Sequence, residues 1–232
     1  MRPSFIPKLI NDPFSDPGLY IPFLFEKRAL MFDLGDLHGL SSKDLLKVTH
    51  VFVTHTHMDH FIGFDTLLRH FLGRDKVLHL FGPQGFLGQV EGKLAGYTWN
   101  LVDGYQYDFL LKVTEVLADR TLTKAYVCRD RFSAGEIEKE SAFSGILLEE
   151  PAFSVKAVTL DHNTPCLGFS LVENFYVNII KEGLKALGLK PGPWLTQFKK
   201  ALYEKRDLES DFSVILEEDG RSAAERRFTL GG

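Results

Sequence analysis

A buried strand that leads directly into a cluster of histidines is the feature that most constrains the fold of this chain. Residues 48–54 read VTHVFVT, a largely apolar and β-branched run that is typical of a strand buried on both faces. The stretch FIGFDTLLRHFLG that follows the cluster places apolar side chains at helical spacing. Between the two lies H-x-H-x-D-H, formed by His55, His57, Asp59 and His60. The sequence therefore predicts that these four side chains occupy a strand-to-helix loop.

This cluster is suited to bind metal ions. Histidines two positions apart at the end of a strand can project to the same side, and the following turn lets the next two side chains reach a neighbouring point. Neutral imidazoles and a carboxylate are ligands for zinc and similar metals, and four of them on one loop suit one or two ions. Burying so many polar groups without a metal would be costly. A loop of solvated histidines is the alternative, although chance would give this spacing on the order of once in a thousand chains.

The remaining histidines and the two cysteines differ in context. His162 stands at the end of a predicted strand, in the stretch DHNTPCLGFSL. Four histidines stand alone in the sequence and are predicted to be structural: His38, His50, His70 and His79. Cys128 and Cys166 lie far apart without C-x-x-C spacing, which predicts free thiols.

Length and charge limit the possible organisation of the chain. Its 232 residues suffice for one large domain or at most two small ones. No apolar run approaches the length of a membrane span, and the first residues lack the apolar core of a secretory signal, so we predict a cytoplasmic protein without a membrane partner. The net charge of −4 argues against general binding of nucleic acid. Residues 174–206 are nevertheless basic, with six lysines and one arginine against two glutamates.

Periodicity and turn residues together predict an α/β fold (α+β). In the first half we expect a hairpin over residues 20–33, a short helix opened by Ser41, a strand beginning at Val77 and further antiparallel strands over residues 94–127. A charged loop over residues 128–140 and a pair of strands over residues 153–173 are expected to follow. Two short helices separated by Pro-Gly-Pro at 191–193 and a last hairpin that closes on Asp219 and Gly220 complete the prediction.

Several stretches resemble the ribonuclease Z branch, the tRNA 3′-processing endonucleases, of the metallo-β-lactamase superfamily. THTHMDHFIGFDTLL resembles the metal-binding loop and helix of that superfamily, MFDLGD its strand ending in Asp-x-Gly, and LFGPQG its Gly-Pro turn. DHNTPCLGFSL resembles the segment that carries a third ligand histidine, and LKALGLKPGPWLTQFKKA resembles the Pro-Gly-Pro segment. The last two stretches distinguish this branch from lactamases and glyoxalases better than the metal loop does.

The resemblance implies a fold, a metal and a substrate. The fold would be the αββα sandwich, here its first half plus part of the second, in one domain over residues 1–232 that contains the basic Pro-Gly-Pro segment at 174–206. His55, His57 and His162 would hold one zinc ion and Asp59 with His60 a second, with manganese or iron as alternative metals. Asp59 would also be catalytic, because it would orient or deprotonate the attacking water. Asp33 would accept a hydrogen bond from a ligand histidine, with a plain turn residue as an equal alternative.

The substrate implied by the resemblance is precursor tRNA or another RNA, and relatives are often homodimers. The residues that we expect to contact RNA lie in the basic segment: Lys190, Pro191, Gly192, Pro193, Lys199 and Lys200. Cationic side chains in such a segment suit an RNA backbone. A solvated pair of helices with ordinary lysines is the alternative interpretation.

Two features depart from the family pattern. The N-terminal Gly-Thr loop of the family is replaced by LINDPFSDPGLYI, and no histidine follows His162. The bridging aspartate and the further histidines that the family carries after the Pro-Gly-Pro segment are therefore not identified in this sequence. We accordingly expect a C-terminally truncated chain, whose intact form continues beyond Gly232.

The sequence thus favours a zinc-dependent phosphodiesterase or endoribonuclease. Two alternatives remain at this level. One is another hydrolase of the superfamily, acting on a small phosphodiester, thioester or lactone. The other is a catalytically silent fragment.

Overall fold

The structure is a computed structural model that describes residues 5–24, 26–173, 179–203, 209–218 and 221–229. For residues 200, 203, 215–218, 221–226 and 228 it describes the backbone only. The chain divides into two compact units. Among the described residues, the larger unit comprises 5–24, 26–148 and 155–171, and the smaller one comprises 149–154, 172–173, 179–203, 209–218 and 221–229.

The larger unit is built on an eight-stranded sheet whose strands follow one another in chain order. The strands are β1 (Lys8–Leu9), β2 (Leu19–Pro22), β3 (Ala29–Phe32), β4 (Val48–Phe52), β5 (Lys76–Gly82), β6 (Phe109–Val116), β7 (Arg120–Val127) and β8 (Lys139–Ala142). The central strands β3 to β6 pair in parallel, and the outer pairs are antiparallel. The predicted hairpin over residues 20–33 is confirmed, since Leu19 pairs with Phe32 and Pro22 with Ala29.

Helices connect the parallel strands, as parallel pairing requires. They are α1 (Ser42–Leu45), α2 (Met58–Phe61), α3 (Phe64–Phe71) and α4 (Phe86–Ala95), and a 3₁₀ turn follows at Val102–Gly104. The Ser41 hydroxyl accepts a hydrogen bond from the backbone N–H of Asp44 and so caps α1 as expected. Phe64, Leu67, Leu68 and Phe71 of α3 are buried, which confirms the helical periodicity of this stretch.

Two of the expectations need correction. The helix after the histidine cluster is divided, because α2 ends before Ile62 and α3 begins after Gly63. The region 94–127 was expected to contain antiparallel strands. Instead, its first residues form the end of α4, and β6 runs parallel to β5. Phe86, Val90 and Leu94 of α4 are buried at helical spacing, but two intervening glycines, Gly88 and Gly92, obscure the helix in the sequence.

A second sheet packs on the face of the large sheet that is opposite to the helices. It contains β9 (Ile146–Glu149), β10 (Phe153–Asp161) and β11 (Pro165–Glu173), with β10 in the centre. Side chains alternate along β4, so Val51 belongs to the helix-side core whereas Phe52 contacts Phe169 of β11, with ring centroids 5.7 Å apart. Helices, large sheet and small sheet therefore form three successive layers, and the predicted α/β class is confirmed.

The smaller unit contains two helices and a hairpin. They are α5 (Lys181–Ala186), α6 (Trp194–Tyr203), β12 (Asp211–Glu218) and β13 (Arg221–Thr229). Phe212 and Val214 of β12 are buried with Ala201 of α6, and Trp194 and Phe198 pack against them. The predicted turn at Asp219 and Gly220 lies outside the described residues. In the described part of the chain, no helix has the length and apolar character needed to cross a membrane.

Candidate metal centre

The histidine cluster lies at the carboxyl edge of the parallel strands β3 and β4. Asp33 follows β3 directly, and its backbone N–H donates to the Phe52 carbonyl at 2.9 Å. The next strand is tied in the same way, since the Val53 N–H donates to the Phe81 carbonyl at 2.8 Å. Side chains that follow these strands therefore meet at one edge of the sheet, where loops of open α/β sheets commonly bind ligands.

Three of the predicted ligands converge on one point. The ligand atoms of His55, His57 and His162 all lie within 4.8 Å of one another. His55 is buried, whereas His57 and His162 are exposed, so the group opens toward solvent. His162 reaches it from the turn between β10 and β11, where Asn163 adopts a left-handed conformation with φ of 56°. The Leu167 N–H donates to the Thr54 carbonyl at 2.8 Å, which fixes β11 beside the end of β4.

Asp59 and His60 form the second part of the cluster. Oδ2 of Asp59 lies 3.6 Å from Nε2 of His60. The His60 ring lies against His55, with centroids 4.0 Å apart. The helix α2 begins after His57, and the His60 N–H donates to the His57 carbonyl at 3.0 Å, so one helical turn brings these side chains back to the same point. All five residues predicted as ligands are thus brought together.

Asp33 lies behind the cluster and is almost fully buried. Its Oδ1 accepts from the Thr54 N–H at 2.7 Å, and its Oδ2 lies 2.9 Å from Nδ1 of His60. Burial raises the pKa of the Asp33 carboxyl, while the hydrogen bonds from Thr54 and His60 act in the opposite direction. The residue has φ of 58°, a left-handed conformation that aspartate tolerates better than most side chains. Asp33 therefore lies within hydrogen-bond distance of His60, one of the residues predicted as ligands.

Thr54 is a contributor that sequence reasoning missed. Its hydroxyl lies 2.9 Å and 3.0 Å from the two Asp33 carboxylate oxygens, and 3.0 Å from Nδ1 of His55. The same oxygen is 3.2 Å from Nδ1 of His60. A hydroxyl can donate once and accept twice, so Thr54 can donate to Asp33 while it accepts from a histidine. No local pattern marks such a residue, because its role depends on the pairing of β3 with β4.

The electrostatics of the cluster suit a divalent cation. Burial, together with the neighbouring imidazoles His60, His57 and His162, lowers the pKa of His55 to about 4. At neutral pH His55 is therefore uncharged and keeps a lone pair for a metal. With Nδ1 of His60 held by Asp33, the protonated nitrogen faces the carboxylate and Nε2 is left as a ligand atom. The donor set of imidazoles and a carboxylate thus fits zinc or a similar ion.

The residues expected to contact RNA lie in the smaller unit, between α5 and α6 and on α6. The Trp194 indole N–H donates to the Lys190 carbonyl at 3.0 Å, which closes the Pro191-Gly192-Pro193 turn onto the first residue of α6. Burial lowers the pKa of Lys199. The Lys200 side chain lies outside the described part of the chain.

The remaining histidines are held in other surroundings. His50 stacks on His79 with ring centroids 4.7 Å apart, and His70 is bonded to the Thr66 carbonyl through Nδ1 at 2.8 Å. His38 is exposed beside Asp36. None of them belongs to the group of ligand atoms described above.

Comparison with known proteins gives several similar chains. A ribonuclease Z of Deinococcus radiodurans is 35% identical over 202 residues, which cover 84% of this chain and 60% of that protein. A ribonuclease Z of Geobacillus kaustophilus is 30% identical over 178 residues, covering 75% of this chain and 46% of that protein. The chain thus spans about half to three fifths of the length of these relatives. Human tRNase Z, short form, is a solved structure with 18% identity and a TM-score of 0.44, over 72% of this chain and 64% of that one. No protein-family model matches.

Proposed function

We propose that this chain is a zinc-dependent phosphodiesterase that acts on precursor tRNA. Over most of its length it resembles ribonuclease Z, a member of the metallo-β-lactamase superfamily. The observation that carries the proposal is the convergence of the His55, His57 and His162 ligand atoms within 4.8 Å of one another. These three residues come from two distant parts of the chain, and they meet beside a carboxylate, Asp59, and a fourth imidazole, His60.

In this proposal His55, His57 and His162 hold one zinc ion, and Asp59 with His60 holds a second. Bound zinc would supply a Lewis acid that stabilises charge on phosphate oxygens and lowers the pKa of water. The sequence similarity and the donor set support zinc, and the same donors would also accept manganese or iron.

The side chains of the centre have distinct tasks. Asp59 is the exposed carboxylate of the group, and it would orient the attacking water and accept its proton. Asp33 accepts the Nδ1–H of His60 and so keeps the lone pair of Nε2 directed to the centre. Thr54 holds Asp33 in place through its backbone N–H and its hydroxyl. His55 is uncharged near neutral pH, so it binds without first losing a proton.

RNA is the proposed substrate because of the named relatives and the cationic Pro-Gly-Pro segment. Positively charged side chains neutralise backbone phosphates and release counterions, and this contribution does not require a particular base sequence. A preference for tRNA over a small phosphodiester is therefore expected to appear in KM and in its salt dependence.

The first test measures bound metal in the purified 232-residue chain and in His55→Ala. We expect zinc in the wild-type chain and a clear loss in the variant. His38→Ala is the matched control, because it removes an exposed imidazole outside the cluster and should leave the zinc content unchanged. Equal zinc in all three proteins would contradict the proposed centre.

The second test measures cleavage of precursor tRNA beside hydrolysis of bis-p-nitrophenyl phosphate and of a thioester. We expect cleavage of the RNA and of the small phosphodiester, both abolished by His55→Ala. Thioester hydrolysis without RNA cleavage would instead identify a small-molecule hydrolase. A chain that binds zinc and hydrolyses none of the three compounds would contradict the proposed activity.

A further inference from the structure

A cavity of about 600 Å³ lies between α3 and the segment that follows Asp33, within the same unit as the metal centre. It has an apolar floor and a cationic rim. The floor consists of four leucines: Leu37, Leu40, Leu45 and Leu72. The other residues that line it are His38, Thr66, Arg69, His70 and Arg74.

The permanently charged side chains that line this cavity are both positive. Arg69 and Arg74 are exposed, and in the described part of the chain neither guanidinium forms an ion pair with a carboxylate. The Arg74 side chain is positioned by a hydrogen bond from Nε to the His70 carbonyl at 2.9 Å, so its terminal nitrogens are left for a ligand. None of the described residues that line the cavity is acidic.

Three neighbouring carboxylates have partners of their own. Asp65 lies 2.8 Å from the Lys93 ammonium, and Asp44 accepts from Lys47 and from the Ser41 hydroxyl. Asp36 is paired with His38. Asp65 and Asp44 are therefore paired with lysines, and among the described residues that line the cavity the two arginines are the permanently charged ones.

His70 and Thr66 also line the cavity. His70 is fixed by the Thr66 carbonyl at Nδ1 and lies 3.1 Å from the Ser42 hydroxyl at Nε2. A planar guanidinium matches the geometry of a phosphate. Two guanidiniums beside an apolar floor bind a phosphate more strongly than two guanidiniums that are fully surrounded by water. A phosphodiester, with its sugar against the leucines, satisfies both parts of the cavity.

The cavity is connected to the metal centre by short backbone links. The Leu34 N–H donates to the His60 carbonyl and the Gly63 N–H donates to the Leu34 carbonyl, each at 2.8 Å. The segment that carries Leu37 and His38 thus starts at the centre, and so does α3. The eight residues of α3 extend about 12 Å at 1.5 Å each. The last turn of α3, which carries Arg69, is therefore separated from the metal centre by a distance that a few nucleotides of RNA can span.

We propose that this cavity binds a backbone phosphate of the RNA substrate, held by Arg69 and Arg74 a few nucleotides from the scissile phosphate. The inference rests on the proposed function for the identity of the ligand, and it adds an anchoring site on the same unit as the metal centre. It assigns to Arg69 and Arg74 the task of positioning the strand.

The experiment compares the full 232-residue chain with Arg69→Gln/Arg74→Gln, which keeps most of the side-chain length and removes both charges. Binding of fluorescently labelled precursor tRNA is measured by anisotropy at several salt concentrations, together with kcat and KM for the same RNA and for bis-p-nitrophenyl phosphate. We expect Kd and KM for RNA to rise on the order of tenfold, and the slope of log K against log salt to fall by about 0.7 to 0.9 for each phosphate that the variant no longer neutralises. Hydrolysis of the small phosphodiester should stay at the wild-type rate.

The matched control is Arg120→Gln/Arg131→Gln, which removes two exposed guanidiniums that already pair with carboxylates. It should leave RNA binding close to wild type, and thermal unfolding should show that both double variants are folded. RNA binding that is unchanged in Arg69→Gln/Arg74→Gln, or weakened equally in the control, would overturn the inference and leave the proposed function standing. If the wild-type chain binds RNA without cleaving it, and Arg69→Gln/Arg74→Gln binds RNA more weakly, the phosphate site is supported and the proposed function fails. A wild-type chain that does not bind RNA would overturn the site.

Discussion

Oδ2 of Asp33 lies 2.9 Å from Nδ1 of His60, and Oδ1 of the same carboxylate accepts from the Thr54 backbone N–H at 2.7 Å. One buried carboxylate therefore joins the end of β3 to the end of β4 and to the helix that follows. This contact determines which nitrogen of His60 carries the proton. It makes the geometry of the candidate metal centre dependent on the pairing of two strands.

Asp33→Asn should weaken metal binding and leave the fold intact. Asparagine can still accept from Thr54, but its amide N–H₂ would then donate to Nδ1 of His60 and favour a proton on Nε2, the proposed ligand atom. Loss of such an orienting partner costs roughly 10- to 100-fold in metal affinity. Zinc affinity is measured by competition with a chromophoric chelator, with Asp36→Asn as the exposed control. Equal affinity in Asp33→Asn and the wild type would show that Asp33 does not orient His60.

Gly63→Ala should destabilise the fold. A Cβ at residue 63 would lie 2.3 Å from the Gly35 carbonyl oxygen and 2.7 Å from Cγ of Leu37, so the backbone turn beside the cluster would have to move. Overpacking of this kind costs about 1–3 kcal/mol of unfolding free energy.

The control for that substitution is Gly88→Ala in α4, where an added Cβ meets no heavy atom within 4 Å. Alanine is favoured over glycine within a helix by about 0.5–1 kcal/mol, so this variant should be slightly more stable than the wild type. Urea unfolding measures both variants. A Gly63→Ala chain as stable as Gly88→Ala would refute the close approach at the turn.

His79 should make the protein less stable in weak acid. Burial lowers the pKa of His79, with the charge of Lys112 acting in the same direction and that of Glu138 in the opposite one. The unfolded chain then binds a proton that the folded chain rejects, so stability is full above the ordinary histidine pKa near 6.5 and falls as the pH decreases from there toward the folded pKa. The loss is about 1.4 kcal/mol for each unit of pKa difference.

His79→Phe tests this expectation, since it keeps an aromatic ring against His50 and cannot titrate. Urea unfolding at pH 7.5 and pH 5.5 should show a smaller loss of stability in the variant than in the wild type. His38→Phe, at an exposed site, should lose as much as the wild type does. An identical pH dependence in His79→Phe and the wild type would rule out His79 as the source.

Tyr126→Phe should destabilise the larger unit. The fully buried Tyr126 donates its hydroxyl hydrogen to Glu91 at 2.8 Å, and this carboxylate also pairs with Lys124 at 3.0 Å. Burial, followed by the hydrogen bond to Glu91, raises the pKa of Tyr126. Losing a hydrogen bond to a charged acceptor costs about 1–3 kcal/mol. Urea unfolding should show this loss, whereas Tyr107→Phe, at an exposed residue, should match the wild type.

The sequence predicted more of the elements than of their arrangement. Apolar residues at helical spacing identified α3, and two apolar runs joined by a charged turn identified the hairpin of β2 and β3. Both patterns reflect which side chains of a local segment meet the core. The helix α4 was missed because Gly88 and Gly92, both at exposed positions, lower the helical propensity of this stretch. The parallel pairing of β6 with β5 was missed as well, since strand order is not encoded in a local pattern.

The sequence by itself determined the chemistry of the candidate site. Ligand types and their spacing in H-x-H-x-D-H are local properties, and so a metal-binding role could be proposed for His55, His57, Asp59 and His60 without a structure. The resemblance of the surrounding segments to ribonuclease Z added His162. Only the tertiary structure decided that the Thr54 hydroxyl contacts both Asp33 and His55, and that two arginines line a cavity whose described lining residues include no acid. These relationships join atoms from strands, turns and helices far apart in the chain, and their distances follow from strand pairing and core packing.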